Sequence, residues 1–139
     1  MESNEAIVTW CVGHLVTMSY PDAYDPELKR WTLKTLPFIP EEYKYEVIPG
    51  VQKQFDIVSG LLNRADVTRI YVCTDSGREG EYIYRLVAQM AGVKDKRQKR
   101  VWIDSQTEEE ILRESGKQRM SRNMIIFLLL PICAQRKIT

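Results

Sequence analysis

The segment RIYVCTDSGREGEYIYRLVAQM, residues 69–90, decides the fold of this chain. Residues 69–74 form a short apolar, β-branched run of the kind found in buried parallel strands. Ser76 and Glu79 have the spacing of a capping box, which predicts that a helix begins there. The residues at helical spacing that follow are apolar and predict one buried helix face: Ile83, Leu86, Val87 and Met90. The segment therefore predicts a buried strand, a turn and an amphipathic helix.

Acidic residues cluster where this strand passes into the helix. Asp75, Glu79 and Glu81 fall within seven residues, among the glycines Gly77 and Gly80. Open α/β sheets bind their ligands at the carboxyl ends of the strands. Carboxylate oxygens suit Mg²⁺, which usually takes one or two of them together with water or phosphate. The alternative is a solvated helix start whose acids are favoured by the helix dipole, and spacing alone leaves both interpretations open.

The sequence TDSGREGE, residues 74–81, resembles the acidic motif T-D-x-D-R-E-G-E of the TOPRIM domain in type IA DNA topoisomerases, especially the bacterial topoisomerase III branch. Three other segments resemble the same branch in the same order: IVTWCVGHLV at 7–16, the W…LP..P pattern at 31–40 and RVWIDSQTEEEIL at 100–112. Four ordered matches over residues 7–113 make the resemblance specific. It implies a TOPRIM, Rossmann-like α/β fold with a mostly parallel sheet flanked by helices.

The resemblance also implies an activity. Type IA enzymes are ATP-independent DNA topoisomerases that break one DNA strand, pass DNA through the break and rejoin it with Mg²⁺. By this resemblance Asp75 and Glu79 bind the metal ion, Glu79 also handles a proton, and Arg78 offers positive charge to phosphate. The implied partner is the single-stranded DNA segment at the cleavage site.

The nucleophile of this family is a tyrosine in a separate, later domain. None of the seven tyrosines of this chain lies in a matching context. The resemblance therefore assigns no nucleophile here, and the other topoisomerase domains are expected to lie outside this chain. We expect the isolated chain to be inactive.

Two departures from the family pattern concern the metal site. The family carries a glutamate in its first strand, within an E-K-P-S-like segment, and this chain begins after that point, so the N-terminal strand is expected to be missing. Gly77 replaces the second aspartate of the acidic motif. Because fewer carboxylates should bind the ion more weakly, a non-catalytic TOPRIM remnant or DNA-binding module remains an alternative. Another TOPRIM enzyme, such as a primase or nuclease, is a further alternative, but it is not expected to share the other matched segments.

The charge of the chain is nearly balanced, so any contact with DNA has to be local. Lysine and arginine total 20 against 19 acids, a formal charge of +1. His14, the only histidine, follows a predicted strand at 6–12. Such a residue ordinarily makes a structural hydrogen bond, whereas the resemblance brings it near the active site as a candidate phosphate or DNA contact. The basic run KDKRQKR at 94–100 predicts a solvated loop, with a DNA-phosphate patch through Lys99 and Arg100 as the alternative.

The rest of the chain predicts the elements around this centre. Residues 51–62 have a helical pattern, and their position between two predicted strands indicates a right-handed parallel crossover. Residues 20–49 hold all but one of the six prolines and predict an extended excursion over the sheet, with a short strand at 43–48. Residues 101–103 predict another strand, and Thr107 opens a second capping box and a helix.

Residues 114–139 depart from the family pattern, so we divide the chain into a TOPRIM domain at 1–113 and an atypical tail. The apolar segment 124–134 is too short, and too broken by Pro131, to span a bilayer. At face value it is a core strand or an exposed apolar tail. A reading-frame slip is a second hypothesis, because back-translating the tail in the neighbouring frame permits GIREAKDESEYDNFSAAAYLRAKKDY. That sequence resembles the family's continuation, a polar turn and an amphipathic helix.

Cysteine usage and the start of the chain indicate a compartment. Cys11, Cys73 and Cys133 show no C-x-x-C spacing, which favours buried thiols over a disulfide framework. The start MESNEAIV has no basic region followed by an apolar run and so does not match a signal peptide. These features predict a cytoplasmic protein with no membrane segment, bacterial and nucleoid-associated if the resemblance holds.

Overall fold

The computed structural model describes residues 6–102, the single positions 107, 109 and 113, and residues 124–129. In chain order the strands and helices are β1 (Ala6–Cys11), β2 (Val16–Met18), β3 (Tyr45–Val47), α1 (Gln52–Leu62), β4 (Arg69–Cys73), α2 (Arg78–Met90), β5 (Arg97–Arg100) and β6 (Met124–Leu129). The predicted α/β class is confirmed. The helix predicted after Thr107 lies for the most part outside the described residues, of which positions 109 and 113 are helical.

Four strands form a parallel sheet in the order β1-β6-β4-β5. β1 and β4 run parallel, as the sequence predicts, but they are not neighbours, because β6 lies between them and pairs with both. The inner position suits β6, since Ile125 and Phe127 are completely buried. At face value the apolar tail predicts a core strand, and Met124–Leu129 forms one. The domain boundary at 113 and the reading-frame slip stay predictions.

The main core lies on the face of the sheet that carries both described helices. Ile7, Ile125 and Ile70 are aligned in register across β1, β6 and β4, and all three are buried. The helices contribute the other half of this core through Phe55, Val58 and Leu62 of α1 and Ile83, Leu86 and Val87 of α2. The predicted apolar faces of both helices are therefore confirmed. Burial of these faces holds each helix against the sheet.

α2 ends as its sequence indicates. Ala91 caps the helix, and Gly92 takes the left-handed conformation with φ of +65°. The Val93 amide then donates to the Ala88 carbonyl at 3.0 Å. This hydrogen-bond pattern is typical of helices that end with a glycine directly after the C-cap residue.

β5 corrects the sequence prediction on this side of the sheet. The strand predicted at 101–103 lies instead at Arg97–Arg100, within the basic run that predicts a solvated loop. β5 is an edge strand, where charged side chains are tolerated and discourage pairing with other chains. Val101 still contacts the sheet, because its amide donates to the Val72 carbonyl at 2.9 Å.

Residues 20–49 contain little regular structure, in agreement with their proline content. Three short 3-10 turns lie in this segment, at Pro21–Ala23, Pro26–Lys29 and Leu33–Thr35. Its last part returns as β3, which pairs antiparallel with β2 in a separate two-stranded sheet. Among the described residues, no helix has the length and apolar character needed to cross a bilayer.

Candidate metal-binding site at the carboxyl edge of the sheet

β4 delivers Asp75 to the edge of the sheet. The strand is buried from Ile70 to Cys73, and Thr74 after it is also buried. Asp75 is the first exposed residue that follows. A parallel strand buried on both faces reads as a continuous apolar run, and its end brings the next residues to solvent at the ligand-binding edge. The exposed carboxylate is therefore presented where a ligand has access.

Gly80 is the residue against which the Asp75 carboxylate lies. A Cβ at position 80 would be 2.1 Å from Asp75 Oδ1 and 2.6 Å from the Asp75 carbonyl oxygen. Gly80 is itself buried in the first turn of α2. Because every other residue carries a Cβ, only glycine lets the carboxylate approach the helix this closely. At Gly77 the equivalent distance to Asp75 Oδ2 is 3.6 Å, an ordinary contact.

The capping box predicted from Ser76 and Glu79 is wrong. α2 begins at Arg78 with Gly77 as its N-cap, and no side chain caps the helix. The Glu79 carboxylate instead contacts His14 Nε2. In this contact the Glu79 side chain is 66% exposed. Glu79 is therefore open to solvent and directly precedes Gly80, which the Asp75 carboxylate contacts.

His14 is brought to Glu79 by the turn after β1. Gly13 has φ of +97°, a left-handed conformation that favours glycine and that redirects the chain at the end of the strand. The His14 ring also lies edge-on to Tyr82, with 6.2 Å between ring centroids. The imidazole is thus positioned between two residues of α2, Glu79 and Tyr82.

Glu81 is paired with two arginines. Its Oε1 lies 2.7 Å from Arg85 Nε, one turn further along α2, and its Oε2 lies 3.1 Å from Arg100 Nε. Both oxygens are therefore engaged by arginines. Within the part of the chain that the structure describes, no three His, Cys, Asp or Glu residues converge as a metal-binding group.

The predicted DNA contacts fall into different settings. Arg78 is exposed at the start of α2, beside Glu79. Lys99 and Arg100 lie on opposite faces of the sheet, because neighbouring residues of a strand point to opposite sides. Lys99 is exposed, whereas only 15% of the Arg100 side chain is exposed and its guanidinium contacts carbonyl oxygens of β4 and the acidic turn. The Arg100 guanidinium is therefore bonded within the chain, and its predicted contact with phosphate stays a prediction.

The sequence did not predict two features of the site. The Arg100 contacts depend on the register of β5 with β4, which places Arg100 beside Val72. The position of this arginine at the end of the basic run is the only signal that the sequence offers. The second feature is the Thr74 hydroxyl, which is buried directly before Asp75 and has no hydrogen-bond partner among the residues that the structure describes.

Comparison with known proteins identifies relatives of the chain. The family profile of the Toprim domain matches residues 1–105. The chain is 45% identical to DNA topoisomerase 3 of Bacillus subtilis (strain 168) over 111 residues, which are 80% of this chain and 15% of that protein. It is 43% identical to DNA topoisomerase 3 of Staphylococcus epidermidis (strain ATCC 12228 / FDA PCI 1200) over 123 residues, 88% of this chain and 17% of that protein. The chain thus spans less than a fifth of the length of these relatives.

Proposed function

Because this chain belongs to the Toprim domain family, we propose that it is the metal-binding part of a type IA, topoisomerase 3-like DNA topoisomerase. The observation that carries this proposal is the close approach of the Asp75 carboxylate to Gly80, the residue that follows Glu79 in the chain. Asp75 lies against Gly80 at the carboxyl edge of the sheet, and Glu79 is exposed in the first turn of the adjoining helix. The names of the relatives, all DNA topoisomerase 3, support the choice of reaction.

Mg²⁺ is the proposed cofactor, and the donor set fits it. Asp75 and Glu79 offer carboxylate oxygens, both exposed, and Mg²⁺ typically takes one or two carboxylates and fills its other positions with water or phosphate. When bound, the ion would supply positive charge next to the phosphate at the cleavage site. His14 contacts Glu79 and would hold its carboxylate at the ion.

Each remaining residue of the site has a proposed task. Glu79 is the proposed proton-handling group, as the resemblance implies, and its carboxylate is exposed to solvent. Arg78 offers its exposed guanidinium to a DNA phosphate. His14 and Lys99 are proposed as further phosphate contacts. DNA would reach Lys99 from the face of the sheet opposite α1 and α2.

The proposed substrate is a single-stranded DNA segment held at the acidic edge. With a net charge of +1, the chain has no general attraction for DNA, so these local contacts have to align the strand. The tyrosine nucleophile and the gate for the passing strand are assigned to other topoisomerase domains. We place the protein in the bacterial cytoplasm, associated with the nucleoid through its DNA substrate.

Calorimetric titration with Mg²⁺ tests the metal site. We expect the wild-type chain to bind the ion and both Asp75→Asn and Glu79→Gln to weaken binding by more than about tenfold. About tenfold is the lower end of the effect of losing an outer-shell partner, and these residues are proposed as direct ligands. Asp56→Asn is the control, because Asp56 lies on α1 and accepts a hydrogen bond from Gln52 on the same helix. An equal effect of Asp56→Asn, or no heat from the wild type, would contradict the proposal.

A supercoil relaxation assay tests the assignment of the nucleophile to other domains. We expect no relaxed plasmid from this chain alone in Mg²⁺. Relaxed product that disappears in Asp75→Ala would show that the chain completes the reaction by itself and would contradict the assignment.

A non-catalytic Toprim remnant is the second candidate. Gly77 and the pairing of Glu81 with Arg85 and Arg100 favour it, since they leave two carboxylates at the edge. The same calorimetric titration separates the candidates, because a remnant gives no Mg²⁺-dependent heat.

A further inference from the structure

Arg100 lies at the carboxyl end of the edge strand β5, next to the strand that carries Asp75. It is in register with Val72, on the face of the sheet covered by α1 and α2. Only 15% of its side chain is exposed. A buried guanidinium needs partners for its donors and its charge, and these partners connect three segments of the site.

The first partners are backbone carbonyls where the chain leaves the sheet. Arg100 Nη1 donates to the Val72 and Thr74 carbonyl oxygens, both at 2.9 Å. Nη2 donates to the carbonyl oxygen of Asp75 itself. The guanidinium is a rigid fork of donors, so these bonds fix the relative positions of the carbonyls that they join.

The second partner is on the helix. Arg100 Nε lies 3.1 Å from Glu81 Oε2, which pairs the two charges although Nε makes no hydrogen bond among the described residues, and Glu81 is 34% exposed. Glu81 stands two residues after Glu79 in the first turn of α2. Through this ion pair the guanidinium connects the peptide that carries Asp75 with the helical turn that carries Glu79.

The third partner is Trp102, whose ring centroid lies 4.9 Å from Arg100 Cζ. The indole covers the guanidinium on the solvent side while 55% of its own surface stays exposed. A cation stacked on an aromatic face is held in place and shielded from water. The arginine is therefore held on its carbonyl, acidic and aromatic sides.

We propose that Arg100 is a positioning residue for the acidic pair. It contacts neither ion nor DNA. It holds the Asp75 carbonyl, which sets the direction of the Asp75 carboxylate over Gly80, and it anchors Glu81, which holds the first turn of α2. The proposal rests on the proposed function, because the pair that it positions is the proposed Mg²⁺ site.

The test uses Mn²⁺ as a spectroscopic probe and compares two arginine-to-lysine variants by electron paramagnetic resonance. Arg100→Lys keeps the charge but loses the fork, so we expect Mn²⁺ affinity to fall by about 10 to 100-fold, as for other outer-shell partners of metal ligands. Arg85→Lys is the matched control, because Arg85 pairs with the same Glu81 but is 75% exposed. We expect it to bind Mn²⁺ with wild-type affinity.

The outcomes separate this proposal from the proposed metal site. Wild-type affinity in a folded Arg100→Lys variant overturns the role of Arg100 and leaves the metal site intact. A wild-type chain that binds no Mn²⁺, or whose binding ignores Asp75→Asn, overturns the metal site and this role with it. Circular dichroism at the temperature of the titration establishes that each variant is folded.

A second measurement decides the proposal if Arg100→Lys does not fold. In the wild type, the Nη protons of Arg100 are expected to give separate, slowly exchanging NMR signals, because they are bonded to carbonyls. Arg85, which is exposed, is expected to give averaged signals. Averaged Arg100 signals would overturn the proposal.

Discussion

The imidazole of His14 contacts the carboxylate of Glu79, and this contact joins residues that are 65 positions apart in the chain. It brings the turn after β1 to the first turn of α2. The His14–Glu79 pair is thus part of the site at the carboxyl edge, and it is the first feature that mutation can test.

We predict that His14→Leu weakens Mg²⁺ binding while the free energy of unfolding changes little. The loss of affinity follows because Glu79 loses the group that orients it. The small effect on stability, under about 1 kcal/mol, follows because the two side chains are 37% and 66% exposed. Calorimetry and urea unfolding check both parts. An unchanged affinity in His14→Leu would rule out the orienting role.

Gly80→Ala is predicted to lower stability and to abolish Mg²⁺ binding. The added Cβ would lie 2.6 Å from the Asp75 carbonyl oxygen, so backbone has to move. Overpacking of this kind typically costs about 1–3 kcal/mol. Gly60→Ala is the matched control, because Gly60 is exposed in α1 and an added Cβ there has no neighbour within 4 Å. We expect that control to gain up to about 1 kcal/mol from helix propensity. Equal stability of the two variants would contradict the prediction.

Gly77→Asp is predicted to strengthen Mg²⁺ binding. An added Cβ would stand 3.6 Å from Asp75 Oδ2, so the side chain fits and adds a carboxylate beside the pair. Without the ion the two acids repel, so the melting temperature should rise more on addition of Mg²⁺ than it does for the wild type. Gly77→Asn is the control for size. The same Mg²⁺-dependent shift in both variants would contradict a role for the added charge.

Phe127→Ala is predicted to destabilise the fold by about 3–5 kcal/mol, the usual loss for a buried aromatic residue. Phe127 is completely buried in β6 and packs edge-on against Tyr84 at 5.1 Å between centroids. Urea unfolding measures the effect. Ile57→Ala on α1 is the control, because 49% of Ile57 is exposed. A wild-type midpoint in Phe127→Ala would mean that residues 124–129 lie outside the cooperative fold, as the predicted boundary at 113 implies.

Stability is predicted to fall as pH rises above about 9, since an ordinary thiol pKa is about 8.5. Burial raises the pKa of Cys11 to about 12 and the pKa of Cys73 to about 11. Between the unfolded and folded values the unfolded chain has lost protons that the folded chain keeps, so alkaline pH favours unfolding. The contribution of the two protonated thiols to stability is fully present below the pKa that they have in the unfolded chain.

Alkylation of the thiols checks this prediction. In a Cys133→Ser background, Cys11 and Cys73 should resist iodoacetamide at pH 9 in the folded protein and react in guanidinium chloride, since the thiolate is the reactive form. Reaction of the folded protein at the denatured rate would contradict it.

The local elements of the site could be predicted from sequence because their signals are local. The apolar run before Asp75 and the apolar spacing of α2 each depend on neighbouring residues, and both elements formed as predicted. The Ser76 capping box failed because α2 begins at Arg78 with Gly77 as its N-cap, one residue later than the box requires. β5 was misplaced because a charged run resembles a loop, while edge position permits it to be a strand.

By itself the sequence determined the α/β class, the delivery of Asp75 by a buried strand and the position of Glu79 in the next helical turn. These follow from periodicity and chain connectivity over about twenty residues. Tertiary structure alone decided the contact of His14 with Glu79, the insertion of β6 between β1 and β4, and the reach of Arg100 to the Asp75 carbonyl. The physical reason is register: which distant strands pair, and in what alignment, decides the face on which each side chain lies and the partner that it meets.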